Sequence, residues 1–259
     1  MESKRDLLIF VPTYNEAENV EVLFREIYKL QLGTWEMLFL DDNSPDGTGK
    51  IIDRLVAGNP NVHAIHRSGK QGIGSAHQVG IRWAYEQGFH SLLTMDCDFT
   101  HPPQKIPEFL RFRNEYDIVV GSRFQQKNSL PTWSLLRKTL THVGHLLTTN
   151  ALGMPFDATG AYRLYRLDRI PVGIFDLVDS PGYSFFFESL YVLWLNGFQV
   201  KEVPLELPAR TYGHSKMTWK DAANSTRVLC RLFLKTRLQR EKLTYSAAAT
   251  TTTTATTDR

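Results

Sequence analysis

Short apolar runs alternate with amphipathic stretches of helix length through the first half of the chain, and this alternation constrains the fold more than any other feature. Leu7–Val11, Met37–Leu40, Val62–Ile65, Leu92–Met95 and Ile118–Val120 read as strands buried on both faces. Between them Ala17–Leu30, Thr48–Ala57, Ile73–Gln87 and Gln104–Arg113 carry helical spacing, with Ser44 or Asp46 placed to cap the second helix. Strand and helix in strict alternation imply right-handed crossovers, so the expected class is α/β with a parallel, Rossmann-like sheet flanked by helices. Ligands of such sheets bind beyond the carboxyl ends of the strands.

That rule gives weight to the segment following each strand. In order, the five strands run into "VPTYNE", "DDNSPDGT", "HRSGKQGIG", "DCDFTHPP" and "GSRF". Any one of these is ordinary turn chemistry, since Asn, Asp, Gly and Pro favour loops for backbone reasons. All five on one edge are better explained as a single polar cleft. No segment supplies the GxGxxG of a dinucleotide fold or the GxxxxGK[ST] of a P-loop, and Gly72 with Gly74 is too little to replace them.

The fourth strand end is the most informative. Asp96 and Asp98 follow the strand rather than lying in it, so both carboxylates can turn toward one hard cation. Mg²⁺ and Mn²⁺ suit oxygen ligands and commonly bridge one or two carboxylates to substrate phosphates. A lone D-x-D is more often a cap and a solvated acid; the buried strand before it and the polar ends beside it favour the metal. His101 lies next to this pair, but His-Pro-Pro at a helix start reads as a structural element. His142 and His145, at i and i+3 on an expected helix, read as surface or interface residues.

Composition closes off other classes. The chain has 259 residues, 42% of them hydrophobic, enough for one substantial core. Its two cysteines, Cys97 and Cys230, form neither a disulfide framework nor a CxxC metal site. No apolar run approaches the roughly 20 residues of a membrane-spanning helix, and the start does not read as a signal peptide, so a protein on the cytosolic side is expected. The net charge is +3, yet residues 201–245 hold ten Lys or Arg against four Asp or Glu. That basic segment is amphipathic and not interleaved with exposed aromatics, which argues against nucleic acid and toward an anionic membrane surface. Within it Val228, Leu229, Leu232 and Phe233 share one helical face; Thr132–Leu152 forms an earlier amphipathic stretch. The expected organisation is a single catalytic domain over 1–245, with a basic helix at 220–245, and a low-complexity Ala/Thr tail at 246–259.

"VPTYNEAENV", "LDDNSPDGTG", "DCDFTHPP", "GSRF", "TGAYRLYR" and "EVPLELPARTYGHSKM" together resemble the polyprenol-phosphate (dolichyl-phosphate) mannosyltransferases among the family 2 glycosyltransferases, over roughly residues 6–235. The resemblance implies a GT-A fold with a mostly parallel sheet, GDP-mannose as donor, a polyprenyl or dolichyl phosphate as acceptor, inversion at the sugar carbon and a divalent metal. It assigns base and ribose to Pro12, Tyr14, Glu16, Leu40 and Asp42. Asp96, Cys97 and Asp98 lie along the donor, with Asp98 the surest metal ligand, Asp96 beside it and Thr100 where relatives place a Gln or small hydroxyl residue. Cys97 stands at a common alanine, which suggests a small sheltered side chain. Arg210 and Lys216 flank the diphosphate; Arg123 and Arg137 receive the acceptor phosphate.

The chemistry supports these roles independently. Breaking a sugar–phosphate bond accumulates charge on a nucleoside diphosphate, which a metal and cations must neutralise. A lipid monophosphate arrives already anionic, with a second pKa near ~6, so no catalytic base is needed. The bidentate geometry of Arg suits such a phosphate. A nucleotidyltransferase would carry a Gly-rich loop after strand one, and a polysaccharide-extending transferase would want a base carboxylate and membrane spans. A polyprenyl-phosphate glucosyltransferase using UDP-glucose would share nearly all of these motifs. Relatives with and without membrane helices exist, so peripheral membrane association, with small membrane partner subunits as an option, completes the expectation.

Overall fold

The computed structural model describes residues 5–126, 129, 135–207 and 219–246. The chain runs β1 (Arg5–Thr13), α1 (Val20–Tyr28), β2 (Trp35–Asp41), α2 (Thr48–Gly58), β3 (Val62–His66), α3 (Ile73–Glu86), β4 (Phe89–Thr94), α4 (Ile106–Arg111), β5 (Ile118–Ser122), α5 (Leu135–Leu152), β6 (Arg163–Arg166), α6 (Ser184–Leu195), β7 (Val200–Pro204) and α7 (Trp219–Leu238), with three short 3₁₀ turns besides. All five expected strands are present, each within a few residues of the sequence reading. The fourth ends at Thr94, one residue early, and the Met95 N–H continues its ladder to the Phe10 carbonyl at 3.1 Å.

The seven strands among the described residues are ordered β3-β2-β1-β4-β6-β5-β7. β1 through β4 pair in parallel as expected, because each crossover carries a helix. The sequence reading missed β6, which is inserted antiparallel between β4 and β5, and β7, which extends the sheet in parallel beyond β5. β6 is four residues long and carries two arginines, so neither length nor hydropathy marked it. Its direction corrects the picture of five neighbouring strand ends: β5 does not adjoin β4. The antiparallel strand instead begins at the edge where β4 and β5 end, since Arg163 pairs with both Thr94 and Val120.

Alternate residues of the inner strands divide the core into two layers. Leu8, Phe10, Leu38, Leu40 and Leu92 pack with Ala76, Ile81 and Phe185 on the side of α3 and α6. Leu7, Ile9, Val11, Met37, Phe39 and Leu93 pack with Leu23, Ile27, Ile52 and Phe109 on the side of α1, α2 and α4. Burial on both faces is what the continuous apolar runs encode.

Candidate functional site

Two loops at the carboxyl edge of the sheet are stitched together by side chains. The backbone N–H groups of Asn15, Glu16 and Ala17, after β1, donate to Ser44 Oγ, Thr48 Oγ1 and Asp46 Oδ2, at and before the start of α2, at 2.9–3.1 Å. Ser44 was expected as a cap of α2; it serves this seam instead, and also donates to Asp41 Oδ1 at 2.5 Å. The helix N-cap is Gly47, at φ +93°, and Asp46 accepts the Thr48 N–H at 3.0 Å. The "VPTYNE" and "DDNSPDGT" motifs are therefore one structural unit. Pro12, Tyr14 and Glu16 are half-buried there, Leu40 is fully buried and Asp42 nearly so. Glu16 Oε2 accepts from Asn19 at 2.7 Å, and Lys70 lies 4.9 Å from the centre of the Tyr14 ring.

Asp42 has a partner that the sequence reading quoted but left without a role. Arg67 Nε donates to Asp42 Oδ1 at 2.5 Å and Nη1 to Ser75 Oγ at 2.7 Å, tying the end of β2 to the first turn of α3. The glycines ahead of that turn have a packing reason. A Cβ on Gly72 would meet the Pro181 carbonyl oxygen at 2.4 Å, and one on Gly74 would meet Phe185 Cβ at 2.6 Å. They admit the 180–185 segment against α3 and are not a phosphate loop.

Beyond β4 the chain turns sharply. Phe99 adopts φ +62°, a conformation that bulky residues rarely take, and costs on the order of 1 kcal/mol or more. Across this strained residue Asp98 Oδ1 accepts both the N–H and the hydroxyl of Thr100, at 3.1 and 2.6 Å. Asp98 and Thr100 are buried, Asp96 is about one-third exposed at its side chain and Cys97 is buried. Thr100 thus presents its hydroxyl proton to Asp98. His101 is structural, as read from sequence: its Nδ1 accepts the Asp96 N–H at 2.8 Å, and its ring stacks on Tyr162. Tyr162 also stacks on Phe109 and donates its hydroxyl to the Pro102 carbonyl at 3.0 Å.

Arg123, immediately after β5, is clamped by a residue absent from the sequence reading. Its backbone N–H and Nε reach Asp157 Oδ2 at 2.9 and 2.8 Å, and its Nη2 reaches Asp157 Oδ1 at 2.5 Å. Nη2 also meets the Thr159 hydroxyl. Burial pushes the Asp157 carboxyl up, but the charge and hydrogen bonds of Arg123 outweigh it and hold the group below the usual carboxylate range. Asp157 sits in the loop leading into β6, at the edge where β4 and β5 end, because β6 runs backwards. Arg163, fully buried, pins that loop through the Ala158 and Gly160 carbonyls at 2.8 Å each, and α6 through the Phe186 carbonyl at 2.7 Å and Ser189 Oγ at 3.1 Å.

Of the remaining expected residues, Arg137 lies on α5 but its side chain is outside the described residues, as are Arg210 and Lys216 entirely. Most of the Ala/Thr tail is outside them too. His142 and His145 flank Phe124, whose ring stacks on His145 at 3.9 Å.

Residues 8–170 match the glycosyl transferase family 2 domain. The undecaprenyl-phosphate mannosyltransferase of Micrococcus luteus is 34% identical over 82% of this chain and 87% of that protein. The polyprenol monophosphomannose synthase of Mycolicibacterium smegmatis is 31% identical over 91% of this chain and 89% of its own. This chain belongs to glycosyl transferase family 2.

Among solved structures, the fold of this family 2 glycosyltransferase is similar to that of glucosyl-3-phosphoglycerate synthase from Mycobacterium tuberculosis, in complex with Mn²⁺, UDP and glucosyl-3-phosphoglycerate. The TM-score is 0.60 at 18% identity, over 90% of this chain and 80% of that one. Mannosyl-3-phosphoglycerate synthase from Rubrobacter xylanophilus gives the same TM-score at 17% identity, over 91% and 74% of the two chains. The GT-A architecture expected from sequence is thereby established.

The C-terminal helix of the glycosyltransferase departs from expectation. The stripe read as membrane-facing packs inward: Val228 and Leu232 are buried, with Leu229 and Phe233 against the same core. Arg231 pairs with the buried Glu188 at 2.9 Å and, with Lys235, lies near Asp179, so two of its cations are spent within the protein. The exposed apolar residues are others: Leu234 and Leu238 on α7, and Val143, Leu146 and Leu147 on α5, which touches it. No helix among the described residues is long and apolar enough to cross a membrane.

Proposed function

We propose that this chain is an inverting polyprenyl-phosphate mannosyltransferase that takes mannose from GDP-mannose. The observation that carries this reading is its identity of 31–34% to two relatives named for mannosyl transfer to a polyprenyl phosphate, over more than four-fifths of the chain. The arrangement of the cleft is consistent with it: an acidic turn at Asp96–Asp98 and a fixed arginine at 123 lie on one sheet edge, separated by β6.

In this reading the bond from the sugar anomeric carbon to the β-phosphate oxygen breaks, and its electron pair leaves with the nucleoside diphosphate. An oxygen of the lipid phosphate forms the new bond from the opposite face. That oxygen carries no proton at neutral pH, so no side chain has to act as a base. Pro12, Tyr14, Glu16, Leu40 and Asp42 hold the nucleoside, Asp96 and Cys97 line the donor, and Arg210 and Lys216 meet the diphosphate. Arg123 and Arg137 orient the acceptor phosphate by hydrogen bonds.

The carboxylates of Asp96 and Asp98 form a hard oxygen set of the kind Mg²⁺ and Mn²⁺ take. Among the described residues no group of three or more His, Cys, Asp or Glu could hold a metal; in this reading water and substrate phosphate complete the ligand set. When bound, such an ion supplies charge neutralisation to the departing diphosphate. Asp98 is the principal ligand in this reading and Asp96 lies beside it. Thr100 aligns Asp98 through the hydroxyl it donates, and the lone pairs of that oxygen stay available to the ion.

The exposed leucines and valine of α5 and α7 seat the protein on the lipid surface where its acceptor resides; small membrane subunits are an optional addition. The deciding experiment is transfer of radiolabel from a panel of nucleotide sugars to a polyprenyl phosphate, with Mg²⁺ or Mn²⁺, scored in the organic phase. Label from GDP-mannose is expected. Label from UDP-glucose alone would replace the donor, and no label from any donor would overturn the function.

A further inference from the structure

The cation assigned to the acceptor phosphate is already engaged by a buried anion. Asp157 is about 1% exposed and takes three N–H groups from Arg123 alone, two from its guanidinium. Its own backbone N–H donates to Glu202 Oε1 on β7 at 2.8 Å, and Gln125 Nε2 donates to the other Glu202 oxygen at 2.6 Å. The loop it occupies is fixed again by Arg163, all of whose donor nitrogens are bonded. A guanidinium held by Nε and Nη2 in this way has one edge committed to the protein. Its third nitrogen, Nη1, makes no hydrogen bond among the described residues, so the clamp leaves that nitrogen for another acceptor.

We propose that Asp157 is a positioning residue for the acceptor step: it holds the Arg123 fork so that Nη1 meets a phosphate monoester. This rests on the acceptor-binding reading of Arg123. The Asp157 charge offsets that of Arg123, so the pair offers the phosphate a directed donor in place of a mobile cation. A long arginine side chain left free would pay up to about 2 kcal/mol of rotamer entropy on ordering. The pair removes that cost before the lipid arrives.

The test compares kinetics of Arg123→Ala, Asp157→Asn and the double variant, with a polyprenyl phosphate in detergent and the nucleotide-sugar donor varied separately. Asp157→Asn keeps the volume but turns an amide NH₂ toward one of the arginine donors. The expected result is an acceptor KM raised about tenfold, the loss of one good hydrogen bond's alignment, with donor KM within twofold. The double variant should be no worse than Arg123→Ala, because residues acting through one another do not add. Multiplicative effects, or an unchanged acceptor KM in Asp157→Asn while Arg123→Ala moves it, would overturn this inference alone. An unchanged acceptor KM in Arg123→Ala would remove both the assignment of Arg123 and this inference. Should Asp157→Asn not fold, Thr159→Val removes only the hydroxyl beneath Nη2; it should raise acceptor KM by a smaller factor, and no change would count against the proposal.

Discussion

His101 Nδ1 accepts the backbone N–H of Asp96 at 2.8 Å, while the same imidazole stacks on Tyr162. This bond fixes the turn on which both acidic residues sit. Replacing His101 by Ala should weaken metal activation: the Mn²⁺ concentration for half-maximal activity rises about tenfold, as for other outer-shell partners of metal ligands. An unchanged metal titration would separate the imidazole from the site.

Asp98 and Thr100 form a closed pair across the strained Phe99, and their variants should differ in kind. Asp98→Asn is expected to lower kcat by about 100-fold or more, in line with loss of a principal electrostatic stabiliser. Thr100→Val keeps shape but removes the hydroxyl donor, and about a tenfold loss is expected. Equal losses in both would make Thr100 as central as Asp98.

His77 is buried among Phe10, Phe185 and Phe186, and neither ring nitrogen finds a hydrogen-bond partner among the described residues. Burial, then the charges of Arg163 and His101, push its pKa down to about 3. The unfolded chain takes up this proton near pH 6.5 and the folded chain does not. The stability contributed is therefore full above pH 6.5 and declines as pH falls toward 3, at about 1.4 kcal/mol per unit. Urea denaturation at pH 7 and pH 5 should give a drop about 2 kcal/mol larger for the native sequence than for His77→Phe. Parallel pH profiles would refute the assignment.

Gly74 faces Phe185 Cβ and two carbonyl oxygens within 2.7 Å of where a Cβ would sit. Gly74→Ala should destabilise by about 1–3 kcal/mol through overpacking, lowering Tm by about 2–4 °C per kcal/mol. A melting temperature equal to the parent's would show that α3 and the 180–185 segment can separate at little cost.

The exposed α5 residues Leu146 and Leu147 allow the proposed seating on a lipid surface to be tested. Changing both to Glu should abolish flotation with anionic liposomes while leaving the melting temperature within a degree or two, because neither is in the core. Flotation of the double variant at parental levels would overturn the proposed seating of α5 on lipid.

The first four strands and the polar segments that follow them were legible in the sequence because double-sided burial leaves unbroken apolar runs, and their punctuation is local. The Asp157 clamp was not. Asp157 lies 34 residues from Arg123, its loop looks like any Asp-Ala-Thr-Gly turn, and only the reversed direction of β6 brings the two together. Arg67 was visible as a charge in "HRSGKQGIG", but its pairing with Asp42 depends on the lateral spacing of two strands, which periodicity does not encode. The inward turn of the α7 stripe was equally hidden, since an apolar helical face reads the same against protein or lipid.

The place of β6 between β4 and β5 has a consequence for synthesis. β4 is complete at Thr94 and β6 begins only at Arg163, so a chain leaving the ribosome carries an unpaired inner edge of β4 while roughly 70 more residues are made. At ordinary elongation rates that interval is several seconds, long enough for an apolar strand edge to find another chain. The nascent N-terminal half is thus the stage at which this enzyme would most need a chaperone, and truncations ending before residue 163 should aggregate where the complete sheet does not.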